Sequence, residues 1–336
     1  MSSGSSRKRT VSWSESSLAR ESHATPSRLA SIPSPARFVL VVLSSLTVSS
    51  VLFTFTSSLT AGDLGPISKH LEEWWEVAGL IGWRAIEVGL AWILGYDGRD
   101  VASFLFLTHM PTYSLLTFFY GIRPTSALIT IGVTIASTAL PFALLRRPSR
   151  VHDLSHTPAD AIANRNILQD KTTTVLTTIL AASIFTVVLY TSYATWLPAR
   201  LVVHFEGLPD ISAAHAGPAG FPALFLTLIP AGWAARDFLF VSSTGYSTRA
   251  TQSASCQGLT GSICRNTWGK LSTKTRILIS RSIVLALGIQ LNTIVQVAGT
   301  VRDVSVEGAA TWGAVWAFAS VVTGAAFAWI EAVDGV

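Results

Sequence analysis

Five polar side chains sit inside runs that otherwise suit lipid: Arg84, Glu87, His109, Asn292 and Gln296. Arg84 and Glu87 stand three residues apart in "WWEVAGLIGWRAIEVGLAWILG", a spacing that puts them on one helix face, where each offsets the cost of burying the other. Histidine is the side chain that titrates nearest neutrality, so His109 beside Glu87 could hold or hand on a proton. Asn292 and Gln296 fall four apart on "ILISRSIVLALGIQLNTIVQVAG", in line with Arg281, Gly288 and Gly299, and such amides bond one membrane helix to another. The chemistry these residues offer is a polar cavity for a small solute or ion, or a set of ties between helices.

Which of the two depends on the elements that carry them. Hydrophobic residues make up 49% of the 336 and charged residues 13%, and the mean hydropathy is +0.47. That balance excludes a soluble domain and indicates an all-α, polytopic integral membrane helix bundle. A hydrocarbon core of about 30 Å asks for about 20 apolar residues per helix. Runs at 38–59, 101–120, 125–145, 173–196, 221–240, 277–299 and 309–330 meet that length.

The stretch 77–94, which holds Arg84 and Glu87, is marginal by itself. Its eight Leu, Ile and Val residues contribute about −0.3 to −0.6 kcal/mol each, against about 2.5 to 3.5 for a central charge. Loop charge decides the matter. Arg7, Lys8, Arg9, Arg20, Arg28 and Arg37 precede the first run; Arg146, Arg147, Arg150, Arg165 and Lys171 follow the run at 125–145; Arg249, Arg265, Lys270, Lys274 and Arg276 follow the run at 221–240. Basic residues gather on the cytosolic side of short loops. An even number of crossings must therefore separate the tail from Arg146, and 77–94 supplies the missing one. The expectation is eight spans with both termini cytosolic.

Two stripes on the eighth candidate constrain its place. Ala78, Gly82, Ala85 and Gly89 line one side, and Glu76, Leu80, Arg84, Glu87 and Ala91 lie nearly opposite. A face of small residues invites a neighbouring helix and a charged face avoids lipid, so this helix is expected in the centre of the bundle. Counted from the outer ends, Arg84 matches Asn292 in depth and Glu87 matches His109, while Pro111 weakens the helix beside His109.

Residues 1–37, rich in Ser with Pro26, Pro33 and Pro35, cannot build a core and are expected to be disordered, leaving 38–336 as one membrane domain. Thr10 and Ser12 in "RKRTVS" and Ser149 in "RRPS" follow basic residues and are candidate phosphorylation sites that would loosen these segments from anionic lipid. Cys256 and Cys264 share a predicted cytosolic loop, where a stable disulfide is disfavoured. The net charge of +5 is accounted for by membrane-flanking loops and requires no nucleic-acid partner.

Enzyme motifs are mostly eliminated. "GYDG", with Tyr96 and Asp97, lacks the second Gly-x-Gly-Asp of an intramembrane aspartyl protease, and "HDLSH", with His152 and His156, is the sole close histidine pair. His204, Glu206, Asp210 and His215 are an outer-loop set that could gather a metal. "GRD" at Gly98–Asp100 and "ARD" at Ala235–Asp237 hint at a weak internal duplication. No cofactor is expected. The expected function is a small-solute or ion transporter with a polar cavity between the second, third and seventh spans, in an endomembrane or the plasma membrane. The alternatives are a non-catalytic scaffold or assembly factor, then a membrane-embedded enzyme.

Overall fold

The structure is a computed structural model that describes residues 33–155, 157, 162–246 and 272–333. Thr10, Ser12, His156, Cys256 and Cys264 lie outside them. Among the described residues every regular element is helical, with two isolated antiparallel bridges, Ser68 with Val301 and Phe205 with Val304.

The long helices are α1 (Ser34–Leu64), α2 (Trp74–Ile93), α3 (Gly98–Phe119) and α4 (Pro124–Leu145). After the short α5 (Arg165–Gln169) come α6 (Lys171–Ala194), α7 (Leu197–His204), α8 (Gly217–Ala235), α9 (Thr273–Thr293) and α10 (Val306–Val333). Two of them end in wider π turns, α8 through Arg236–Val241 and α9 through Ile294–Ala298. Among the described residues, seven helices are long and apolar enough to cross a membrane: α1, α3, α4, α6, α8, α9 and α10. The twenty residues of α2 match them in length but carry Glu76, Arg84 and Glu87.

Helix boundaries follow local chemistry. Asp97 caps α3 by accepting from the Asp100 amide, Asp170 caps α6 by accepting from Thr172 and Thr173, and Ser272 caps α9 through Thr275. Pro124 opens α4 at a position where no amide is needed.

Packing places α3 at the centre. It lies against α4, α8 and α9; α6 pairs with α8, α10 with α9 and α6, and α1 flanks α4. Gly232 lets α8 and α6 come close, since a Cβ there would stand 2.5 Å from the Thr178 carbonyl oxygen of α6. An aromatic stack of Phe119, Tyr193, Trp312, Trp316 and Phe185 fills the space between α3, α6 and α10. Trp312 Nε1 donates to the Pro111 carbonyl at 2.8 Å, which joins α10 to α3 beside the proline.

The expected central position of α2 is corrected. It lies at the edge, against α1 and the π turn of α9, and only Glu87, Val88 and Ala91 are buried. Ala78 and Gly82 are exposed, and no heavy atom lies within 4 Å of a Cβ built at Gly79 or Gly82. The polar face turns inward, while Ala78 and Gly82 lie on the outer face.

Connections gather at two ends. At one, the Lys69 amide donates to Thr300, the Glu206 amide to Asp303 and the Asp210 amide to Phe119, while Arg123 pairs with Asp63 at 2.8 Å. At the other, the Ser149 amide donates to Asp97, Asn164 to Thr244 and Ser243 to Glu331. Arg146, Arg147, Arg150 and Arg276 belong to this second, basic end.

Candidate functional site

The inward face of α2 is held by polar bonds. Arg84 Nη1 donates to Glu87 Oε2 at 3.1 Å, and Nη2 reaches the Thr134 carbonyl at 2.8 Å, Ser137 Oγ at 3.4 Å and the Thr138 hydroxyl of α4. Thr138 also meets Ser45 of α1 at 3.2 Å, so one hydroxyl connects α1, α2 and α4. The other Glu87 oxygen, Oε1, stands 3.5 Å from His109 Nε2 of α3. Both side chains are buried, and neither of these two atoms has a hydrogen-bond partner among the described residues.

Asn292, fully buried, is served on both sides. Its Nδ2 donates to the Thr108 carbonyl of α3 at 2.9 Å, and its Oδ1 accepts from Trp83 Nε1 of α2 at 2.9 Å. Gly288, four residues earlier, lets α9 close on Phe104 of α3, where a Cβ would lie 2.8 Å from the ring. The depth matches hold in part: His109 faces Glu87, whereas Asn292 meets Trp83 in place of Arg84. Gln296 stands apart in the π turn, lining a cavity of about 130 Å³ with Thr112, Tyr113 and Thr130. The extra residue of a π turn breaks the phase that aligned Gln296 with Asn292 on a regular helix.

Arg84, Glu87 and His109 therefore face one another across α2, α3 and α4, while Asn292 ties α9 to α2 and α3 through Trp83 and Thr108. Three cavities of 400, 370 and 600 Å³ lie elsewhere: between α2 and the α9 π turn, between α6 and α10, and around Tyr193, Pro198 and Leu224. None of these is lined by Arg84, Glu87, His109 or Asn292.

A second polar cluster, at the basic end, was not anticipated as a unit. Arg281 of α9 donates to both oxygens of Asp100, at 2.7 and 3.0 Å, and to the Phe238 carbonyl at 3.0 Å. Arg99 pairs with Asp237 at 3.1 Å, and Arg236 bonds Asp237 at 3.1 Å and Thr174 Oγ1 at 3.0 Å. The "GRD" and "ARD" triplets are thus partners across α3 and α8. They are not equivalent positions of a repeat, because one opens a helix and the other lies in a π turn.

Asp97 completes the cluster. Its carboxylate accepts from the amides of Asp100 and Ser149, both at 2.8 Å, and meets His152 Nδ1 at 2.7 Å. Burial pushes this carboxyl up, but the hydrogen bond and charge of His152, with the two amides, outweigh that and hold it well below the usual carboxylate range. Burial pushes the neighbouring Tyr96 hydroxyl up to about 12, so this ring faces Arg281 as a neutral aromatic. "GYDG" and "HDLSH" lie apart in the sequence, with fifty-five residues from Asp97 to His152, and only the fold joins them.

Asp97, Asp100 and His152 offer ligand-type atoms within 4.8 Å of one another. They suit ion pairing better than a metal: Arg281 occupies both Asp100 oxygens and two amides and an imidazole occupy those of Asp97, so an incoming cation would have to displace a guanidinium. The outer set does not gather. His204 bonds Ser305 at 3.0 Å, Asp210 holds the Ser212 amide at 2.7 Å, and His215 meets the Ile211 carbonyl at 3.2 Å.

Residues 170–295 match the family model of the Bouquet formation protein 3 C-terminal domain. That stretch, less than half of the chain, runs from the cap of α6 through α7 and α8 into the π turn of α9. It includes Arg236, Asp237, Arg281 and Asn292 and leaves out Arg84, Glu87, Asp100 and His109. No curated protein and no solved structure matches the chain.

Proposed function

We propose that this chain is a non-catalytic membrane assembly factor, whose polar interior fastens helices to one another and keeps a multi-span surface in shape for partners. The match of residues 170–295 to a domain named for bouquet formation carries this reading over the transporter expectation. The chemistry of the interior supports it. Asn292 has both ends of its amide occupied, Arg84 reaches four groups, and Arg281 fills both oxygens of Asp100. Polar groups engaged in this way act as ties between membrane helices. A tagged chain purified in mild detergent should hold one integral membrane partner at constant stoichiometry, and purified chain in vesicles should add no ion or solute flux. A flux above that of empty vesicles, with no stable partner, would overturn the assembly reading.

The same reading takes α2 as an eighth crossing, with both termini on the cytosolic side of an endomembrane. Support comes from its two ends: Glu76 bonds Lys69 at 2.7 Å, beside the Thr300 loop, while the Trp92 carbonyl accepts from Arg146 at 3.1 Å, at the basic end. Single cysteines at Lys69, Arg123, Arg200 and Arg302, in a chain lacking Cys256 and Cys264, should react with an impermeant thiol reagent from the non-cytosolic side. Cysteines at 147–150 should not, and their labelling from that side would remove the eighth span.

Transport remains the second reading because of one observation: Glu87 Oε1 and His109 Nε2, buried and without hydrogen bonds among the described residues, face each other at 3.5 Å.

A further inference from the structure

We infer that the basic end carries a binding pocket for the phosphate headgroup of a membrane lipid, at the corner where α2, the α4–α5 connection, α8 and α9 meet. The cavity there has a volume of about 620 Å³, within the size range of small-molecule sites. Arg150, Arg276 and Arg281 line it together with the hydroxyl side chains Ser149, Ser242, Ser280 and Tyr246. Arginine forks and hydroxyl donors are the groups that recognise a phosphate.

Charge around the cavity favours an anion. The acids near it are Asp97, Asp100, Asp153 and Glu331, and each accepts hydrogen bonds: Arg281 and Ser242 bond Asp100, His152 and two amides bond Asp97, Ser155 bonds Asp153, and Ser243 and Thr244 bond Glu331. Arg150 adds positive charge to the lining, and no carboxylate is among the described lining residues. Lys274 lies 6.0 Å from the Tyr246 ring centroid, so another cation stands behind that wall.

The apolar part of the lining identifies the rest of the ligand. Leu94, Val151 and Ile277 complete the cavity, and Leu94 continues into Ile93, which is 82% exposed at the end of α2. A phosphate held by Arg150 and the lining hydroxyls would have its acyl chains beside Ile93 and Leu94, on the surface that faces hydrocarbon if α2 crosses the membrane. A membrane lipid ending in a phosphomonoester has both halves of this chemistry, whereas the cationic end of phosphatidylcholine would meet the arginines. The inference rests on α2 as a crossing, which sets Ile93 beside hydrocarbon, and not on the assembly role.

The test is binding of short-chain phosphatidic acid to the full chain in detergent, read by native mass spectrometry and by thermal shift. Phosphatidylserine, phosphatidylcholine and inorganic phosphate are the comparison probes. Phosphatidic acid should bind best, and Arg150→Gln should weaken it roughly tenfold or more, the scale of one charge-assisted hydrogen bond. Arg147→Gln should leave binding unchanged, since the exposed Arg147 does not line the cavity. Ser280→Ala, also in the pocket wall, should weaken binding as well and gives a second reading if Arg150→Gln fails to fold. Competition by inorganic phosphate would show that the phosphate group alone suffices; binding of the lipid without such competition would show that the apolar wall is needed, and either supports the pocket. Equal binding of phosphatidylserine and phosphatidic acid, or equal loss in Arg147→Gln and Arg150→Gln, would reduce the effect to general surface charge and overturn it.

Discussion

Arg281 grips Asp100 with two hydrogen bonds, at 2.7 and 3.0 Å, while its guanidinium carbon lies 4.8 Å from the centre of the Tyr96 ring and 4.9 Å from that of Phe238. The fork satisfies the carboxylate and the flat cation fills the gap between two rings, so one side chain joins α9 to α3 and to the end of α8. Lysine can supply the charge but neither the fork nor the stacking surface. Arg281→Lys should therefore cost about 1 to 3 kcal/mol. Arg281→Ala, which leaves Asp100 buried without its cation, should cost about 3 to 5. Thermal melting of the detergent-purified chain should rank wild type above Arg281→Lys and Arg281→Lys above Arg281→Ala.

At the centre of α2, Arg84→Leu or Glu87→Gln alone leaves its partner buried without an opposite charge, an expected loss of about 3 to 5 kcal/mol. The double variant removes both charges and should recover most of that loss, because α2 keeps Val88 and Ala91 in the core and Trp83 on Asn292. Intrinsic tryptophan fluorescence across a melt distinguishes the four proteins. Equal loss in the singles and the double would mean that the pair does not act as a unit.

Helices α6 and α8 approach each other at Gly232. Gly232→Ala places a methyl group 2.5 Å from the Thr178 carbonyl oxygen and 2.7 Å from the Ala182 amide, both backbone atoms that cannot turn aside. Overpacking of this kind costs about 1 to 3 kcal/mol. Gly79→Ala, with nothing within 4 Å, is the control and should melt with the wild type.

Asp97 gives the basic end a pH dependence. Its carboxyl titrates lower in the folded chain than the unfolded value of about 3.9, so the stability it contributes is complete above that value and is lost as pH falls below it. Asp97→Asn should lower the melting temperature at pH 6 to 7. The gap between wild type and variant should narrow as the pH is taken down from about 4. A gap that stays constant with pH would assign the effect to packing instead.

Helix positions were legible in the sequence because an apolar run long enough to cross a bilayer is a local property. The runs at 101–120 and 125–145 emerge as Gly98–Phe119 and Pro124–Leu145. Neighbours were only partly legible. Equal depth brought Glu87 to His109, but it could not tell that Trp83, the residue beside Arg84, would take Asn292. The place of α2 was misjudged because a face of small residues invites a partner helix without requiring one. The cluster around Asp100 was hidden by distance: 138 residues separate Arg99 from Asp237 and 181 separate Asp100 from Arg281. Such pairs are set by which helix ends meet, and each of these residues alone resembles an ordinary flanking charge.

The central claim, that the chain assembles other membrane proteins and its polar interior is structural, is tested most directly by removal and restoration. Quantitative membrane proteomics would compare cells with the chain, without it, and with it restored as wild type or as His109→Phe. The account predicts that an integral membrane protein that co-purifies with the chain falls several-fold on removal and returns with both restored forms. No change in any membrane protein, together with a proton flux in vesicles that His109→Phe abolishes, would contradict it.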